Sequence, residues 1–114
     1  NLGEIDWHRH RFADAEAHLR RALAILAKRV DPAHPSIATA EYDLANVVRD
    51  AGRLVESEPH YRKALQIRET AFGSDAPAVA EVLTEFAKML RLRNRTAEAE
   101  RLELRARAIP VARP

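Results

Sequence analysis

The five histidines come nearest to metal or acid–base chemistry in this sequence, because neutral imidazole binds metal ions and titrates near neutral pH. His8 and His10 are two residues apart, which points them to different sides of a helix. A helical zinc motif instead spaces two histidines by four around a glutamate. His18 and His60 stand 42 residues apart, and His34 precedes a proline. The spacing therefore predicts no metal site and no cofactor.

Motifs for nucleophilic catalysis and phosphate binding are missing from the sequence. Ser36, Ser57 and Ser74 lie in no Gly-x-Ser-x-Gly elbow, and three glycines in 114 residues form no glycine-rich loop. The lack of cysteine excludes thiolate nucleophiles, disulfides and cysteine-based zinc sites, and it favours a reducing compartment. We therefore expect a non-enzymatic, cytoplasmic protein.

A basic cluster at Arg91, Arg93 and Arg95 suggests contact with nucleic acid when taken alone. However, 19 basic residues nearly balance 17 acidic ones, and aromatic residues make up only 5%. The chain therefore offers no stacking platform, and cations also suit the carbonyl end of a helix. No apolar run approaches the ~18 residues of a membrane span. We expect neither nucleic acid nor membrane as a partner, and nucleic-acid binding is the weakest alternative.

The elements that must position any functional residue are helices arranged in a repeat. Sliding the chain against itself produces coincidences at a shift of 42 residues. Four columns agree across three copies in size and chemistry: Ala15, Ser57 and Ala99; Glu16, Glu58 and Glu100; Ala22, Ala64 and Ala106; Ile25, Ile67 and Ile109.

Each unit is expected to contain two helices. Apolar residues from Ile37 to Val48 recur at steps of three and four, and Pro35 and Pro77 suit first helical positions. Glycine at position 52 favours a turn, so a second helix is predicted from Leu54 to Phe72. We expect Ile67 to face the next unit, beside the buried positions Ser57, Tyr61, Ala64, Leu65 and the stem of Arg68.

The motifs Leu44-Ala45-x-x-Val48 and Ser57-x-x-x-Tyr61 resemble those of the tetratricopeptide repeat family. The long period, together with His34-Pro35-Ser36-Ile37 and Phe72-Gly73, is similar to the kinesin light chain type. This resemblance implies an all-α, right-handed α-solenoid of helix-turn-helix repeats, with about two and a half units at about 1–31, 32–73 and 74–110. HEAT or armadillo repeats are the alternative, since their period is similar.

The chain starts at Asn1 rather than at a methionine. In the repeat register, Asn1 falls partway along a first helix. We therefore expect residues 1–114 to be a single repeat domain within a longer protein, with the first helix of its first unit truncated.

The resemblance also implies that the first helix of each unit lines a concave groove that binds peptides. The outward stripe predicted for this helix is suited to an extended peptide that carries an acidic group. Its candidate partner-binding residues are Trp7 in the first unit, Thr39, Tyr42, Asn46 and Arg49 in the second, and Thr84, Lys88 and Arg91 in the third.

Two features of the sequence limit this interpretation. Kinesin light chain repeats usually have Leu-Asn-Asn where this chain has Glu41-Tyr42-Asp43, so the resemblance carries over the scaffold role and not the ligand. The open ends of the array are also compatible with a structural role or with self-association into a homo-oligomer. The alternative to a peptide-binding scaffold is therefore a self-association module of a larger protein.

Overall fold

The computed structural model describes residues 2–110, with side chains described from residue 11 onward. Within this range the chain forms five α-helices joined by short turns and contains no strand. No helix in the described range is long and apolar enough to cross a membrane. The helices are α1 (Leu2–Arg29), α2 (Pro35–Asp50), α3 (Leu54–Phe72), α4 (Pro77–Leu92) and α5 (Thr96–Ala108).

The helix boundaries follow the repeat. Pro35 and Pro77 begin α2 and α4, where a missing N–H costs no hydrogen bond. Before α2, His34 Nδ1 accepts a hydrogen bond from the Ser36 amide at 3.0 Å and so caps the helix. Gly52 and Asn94 occupy equivalent positions after α2 and α4, with φ of 89° and 62°. This left-handed conformation ends both helices. The predicted second helix from Leu54 to Phe72 is confirmed.

The first unit departs from the expectation of a truncated helix followed by a second one. Residues Leu2–Arg29 instead form one continuous helix of 28 residues. The position equivalent to Gly52 and Asn94 is His10, which is less suited than glycine or asparagine to a left-handed turn. The helix therefore continues through the place where the other units turn.

Small residues allow the paired helices to pack closely, as the repeat columns predict. Ala45, Ser57 and Ala64 are fully buried between α2 and α3, and Ala99 is fully buried on α5. The rings of Tyr61 and Phe86 stack between α3 and α4 with centroids 5.4 Å apart. Aromatic pairs at such distances add to the gain from burial alone. The core therefore continues from one unit into the next.

The expected direction of Ile67 was wrong. Ile67 packs with Ile37 and Ala38 of α2 and with Leu23 and Leu26 of α1, and so faces its own and the preceding unit. Leu65, by contrast, contacts the following unit, where it packs near Val79, Leu83 and Leu102. The two positions differ by two residues, which on a helix turns the side chain by about 200°.

The array curves with its first helices on the inside. Cα atoms of α2 and α4 approach within 8 Å, whereas in the described range those of α3 and α5, or of α1 and α3, do not. The second helices therefore diverge on the outer side and leave two outer grooves. The first outer groove lies between α1 and α3 over α2, and the second lies between α3 and α5 over α4.

Candidate functional site

The predicted binding stripe lies on α2 and α4, the helices of the inner side, and only part of it is exposed. Thr39, Thr84, Lys88 and Arg91 are exposed. Tyr42, Asn46 and Arg49 are half-buried, which corrects the expectation of a fully exposed stripe. The side chain of Trp7 lies outside the described residues.

Arg49 joins the two inner helices to each other. Its Nη1 donates to Glu85 Oε1 at 3.0 Å and to the Glu85 carbonyl at 3.3 Å, while its Nε donates to Asp50 Oδ1 at 3.0 Å. The side chain is only 11% exposed. Sequence reasoning treated Arg49 as a free cation, but its long stem lies between neighbouring units and its guanidinium reaches the next carboxylate.

Lys88 shares Glu85 with Arg49, with its Nζ 2.9 Å from Glu85 Oε2. Burial opposes ionisation of Glu85, but hydrogen bonds from Lys88 and Arg49 outweigh burial and lower the pKa of this carboxyl. The Lys88 side chain is nevertheless 61% exposed. Its ammonium therefore faces solvent with donors to spare.

Asn46 and Tyr61 form a polar contact between α2 and α3. The Tyr61 hydroxyl donates to Asn46 Oδ1, and burial raises the pKa of the tyrosine. Since Asn46 accepts this hydrogen bond from a fully buried residue, its carbonyl oxygen supports the core. Only the rest of the amide can serve a ligand.

Tyr42 belongs to a cluster that sequence reasoning did not resolve. The Arg68 guanidinium carbon lies 5.1 Å from the centre of the Tyr42 ring, a cation–π distance. Arg68 is buried and donates to the Ala78 carbonyl at 2.9 Å, to Glu81 Oε1 at 2.7 Å and to Thr39 Oγ1 at 3.3 Å. One arginine of α3 therefore ties α2 to α4. The sequence signal for this contact was that Arg68 falls on the side of α3 that the helical pattern predicts to be buried.

Arg91 stands in the Arg49 column but makes a different contact. Two of its nitrogens donate to the two Glu103 oxygens at 2.6 Å each, a bidentate pair with α5. Thr84 donates to the Ala80 carbonyl at 2.9 Å within its own helix. The exposed part of the stripe on α4 therefore consists of Thr84, Lys88 and Arg91.

The rest of the basic cluster turns toward the outer side. Arg93 Nη1 donates to Glu58 Oε1 at 2.6 Å, and Arg95 lies 3.9 Å from the same oxygen. Glu58 also accepts two hydrogen bonds from Arg62. Burial opposes ionisation of Glu58, but Arg62 and Arg93 outweigh it and lower its pKa. The cluster joins α3 to the α4–α5 turn and presents no stripe of unpaired cations.

The first outer groove contains a buried carboxylate. Its cavity of about 310 Å³ is lined by apolar residues together with Glu41 and Lys63. Glu41 Oε1 lies 2.7 Å from His60 Nδ1, and its Oε2 lies 3.2 Å from Lys63 Nζ. Burial opposes ionisation of Glu41, but hydrogen bonds from His60 and Lys63 outweigh it and lower its pKa. Glu41, the polar residue that interrupts the apolar pattern of α2, therefore has its partners on α3.

The second outer groove has an apolar floor and a rim of arginines. Its cavity of about 390 Å³ is lined by Leu65, Phe86, Leu90 and Leu102, with Arg62, Arg101, Arg105 and Glu98 around them. The Arg62 guanidinium carbon lies 5.3 Å from the centre of the Phe86 ring. Sequence reasoning did not find this groove. A signal close to it was that Leu83, against which Leu65 and Leu102 of the groove pack, stands in the column of Glu41.

Among the described residues, no group of three or more histidine or carboxylate side chains is placed to hold a metal ion. The polar groups instead form hydrogen bonds and ion pairs that join neighbouring helices.

The paired helices, their 42-residue spacing and their small-residue contacts define a solenoid of helix-turn-helix repeats. A family model described as tetratricopeptide repeat matches residues 1–54 and 36–110. The chain therefore belongs to the tetratricopeptide repeat family, and not to the HEAT or armadillo families. Repeats of this family generally mediate protein–protein interaction and are typically non-enzymatic.

Solved structures of repeat proteins match the fold of this chain. The fold matches the nearly identical TPR-like repeats of a Podosopora anserina protein described as a putative kinesin light chain, with a TM-score of 0.80 and 22% identity. A single-residue variant of that protein matches equally well. Each match covers 95% of this chain and 51% of the other, so the chain spans about half the length of these structures. Among curated proteins, none matches the chain.

Proposed function

We propose that the inner face binds an extended segment of a partner protein in the cytoplasm. The observation that carries the proposal is the row of exposed polar side chains along α4, formed by Thr84, Lys88 and Arg91, with Thr39 on the adjoining α2. Arg49, Asn46 and Arg68 fix α2 against α3 and α4 behind this row. A face held rigid in this way loses little conformational entropy when a ligand binds.

We further propose that the segment carries an acidic group, which binds near the carboxyl end of α4. Glu85 and Glu103 each occupy part of the donor capacity of Lys88 and Arg91. An ammonium has three N–H donors and a guanidinium has five, so both cations can donate hydrogen bonds to a second carboxylate. Charge-assisted hydrogen bonds of this kind are stronger than neutral ones.

The test is selection of peptides from a random displayed library, followed by measurement of Kd for the selected peptides. Reversing both exposed charges, Lys88→Glu plus Arg91→Glu, should weaken binding at least about tenfold. Arg21→Glu plus Lys28→Glu is the matched control, since it changes the net charge equally on exposed positions of α1. Equal affinity of the two double variants would refute the inner-face proposal. Arg49 is unsuitable for this test because its side chain is only 11% exposed and its loss would break the contact that joins α2 to α4.

Self-association is a second candidate, favoured by Ile25. In the second and third units the residues of the same column, Ile67 and Ile109, are buried, whereas Ile25 is 48% exposed. Within the described residues no helix covers it as α2 covers Ile67. Sedimentation should then show concentration-dependent dimers that Ile25→Glu abolishes. Monomers at all concentrations, or dimers that persist in the variant, would exclude this contact.

A further inference from the structure

The second outer groove is separate from the inner face and combines two features of a peptide-binding surface. Its floor is made of the side chains of Phe86, Leu90, Leu65 and Leu102, and its cavity is about 390 Å³. That volume is within the range of small-molecule and side-chain pockets. The divergence of α3 and α5 opens the groove to the outside.

The arginines around this groove are unequally engaged. Arg62 donates hydrogen bonds to Glu58 from its Nε and Nη2, and Arg105 donates one to Glu69 from its Nη2. Within the described part of the chain, Arg101 makes no ion pair, and the carboxylate of Glu98 lies beside Arg95. A guanidinium has five N–H donors, so all three arginines keep donors for an incoming anion.

The first outer groove shows what is missing from the second. There, a carboxylate of the chain itself, Glu41, lies between α1 and α3 and binds His60 and Lys63. The columns that follow 42 residues later hold Leu83, Leu102 and Arg105. The second groove therefore has a cation, Arg105, in the Lys63 column, but Leu83 replaces the carboxylate of the Glu41 column.

We propose that the second outer groove binds an acidic peptide segment of a partner protein. An apolar side chain of the peptide lies against Leu65 and Leu102, the partly exposed apolar residues of the groove, and a neighbouring carboxylate binds Arg101, with Arg62 and Arg105 on either side. The apolar floor favours a peptide over a nucleic acid, since phosphates gain nothing from it. Glu58, Glu69 and Glu98 also lie close to the rim and would repel a continuous phosphate backbone.

The experiment selects peptides from a random displayed library on the Lys88→Glu plus Arg91→Glu variant, which depletes peptides that bind the inner face. Peptides with an aspartate or glutamate next to a leucine or phenylalanine should be enriched. Arg101→Glu should then weaken their binding at least about tenfold. Arg107→Glu, on the same helix and outside the groove, should change it less than about twofold. Far-ultraviolet circular dichroism of both variants verifies that they remain folded.

Three results would overturn the proposal. The first is the absence of enriched acidic peptides, and the second is an equal effect of Arg101→Glu and Arg107→Glu. The third is a labelled single-stranded oligonucleotide that binds more tightly than the peptides and depends on Arg101. Because the inner-face charges are already reversed in the selecting protein, each result is independent of the outcome for the inner face.

Discussion

The two outer grooves lie between the second helices of successive units, and the buried position held by Glu41 in the first is held by Leu83 in the next unit. In the first groove, Glu41 is buried and satisfied by His60 and Lys63 from α3. Behind the second, Leu83 is fully buried with Val79 and Ile109, and the groove residues Leu65 and Leu102 pack against this cluster. The carboxylate of the first groove therefore pairs with polar groups of the chain itself, whereas the second groove has an apolar floor with arginines around it.

The difference shows that the fold tolerates either chemistry in this column provided that the surroundings match. A buried charge needs partners, because leaving it unpaired costs several kcal/mol. His60 and Lys63 supply those partners in the first groove, whereas Leu102 occupies the His60 column in the second. Repeats that share a backbone can thus present different surfaces to partners.

The strongest way to break the comparison is to place the carboxylate of the first groove in the second. Leu83→Glu should lower the free energy of unfolding by about 3–5 kcal/mol, because the new charge is buried without a histidine beside it. Urea unfolding followed by circular dichroism measures the loss.

The double variant Leu83→Glu plus Leu102→His tests the explanation. It rebuilds the donor of the first groove beside the new carboxylate, with Arg105 in the Lys63 column. We expect it to recover at least about 1 kcal/mol relative to Leu83→Glu. A double variant as unstable as the sum of its single substitutions would show that the partners do not explain the difference.

A smaller effect is expected from neutralising the carboxylate of the first groove. Glu41→Gln should destabilise the protein at pH 7 by about 1–3 kcal/mol, because it weakens the hydrogen bonds to His60 and Lys63. The folded-state pKa of Glu41 lies below its ordinary value of 4.5, so its stabilising contribution is present above pH 4.5 and declines as the pH falls through the folded value.

The stability difference between the wild type and Glu41→Gln should therefore shrink as the pH is lowered below 4.5. Urea midpoints measured for both proteins across this range provide the test, since carboxylates elsewhere affect both proteins alike. A difference that stays constant with pH would mean that the charge of Glu41 is not the cause.

The smallest effect concerns two arginines in one column, Arg20 and Arg62. Arg62 binds Glu58 and lies over the Phe86 ring, whereas the equivalent of Phe86 near Arg20 is Leu44. We expect Arg62→Gln to cost about 1 kcal/mol and Arg20→Gln less than about 0.5 kcal/mol. Thermal unfolding of both variants in low and high salt measures this. Equal destabilisation by the two substitutions would show that the contact between Arg62 and the Phe86 ring does not explain a difference between them.

The sequence predicted the helices well because their signals are local. The prolines at positions 35 and 77 and the glycine at position 52 mark boundaries through backbone chemistry alone. The continuous α1 was missed because the repeat register implied a turn, while the local residues at positions 9–11 permit a helix. The direction of Ile67 was missed because apolar spacing shows that a residue is buried and not which neighbour buries it.

The candidate binding residues were predicted less completely. Periodicity placed Thr39, Thr84, Lys88 and Arg91 on an exposed face, and the structure agrees on their exposure. It could not show that Arg49 spans to Glu85 or that Asn46 accepts a hydrogen bond from Tyr61. Those partners are 36 and 15 residues away in the sequence, and the side chains meet only after α2 has packed against α4 and against α3.

The sequence by itself determined the helices, the repeat and the positions that must be small or apolar. These follow from backbone preferences and from hydrophobic spacing, which act within one helix or one unit. Only the tertiary structure decided which charges are paired across units, where the second helices diverge and which groove is left open. Ion pairs and surface shape depend on atoms from several helices at once, and these atoms meet only when the solenoid is assembled.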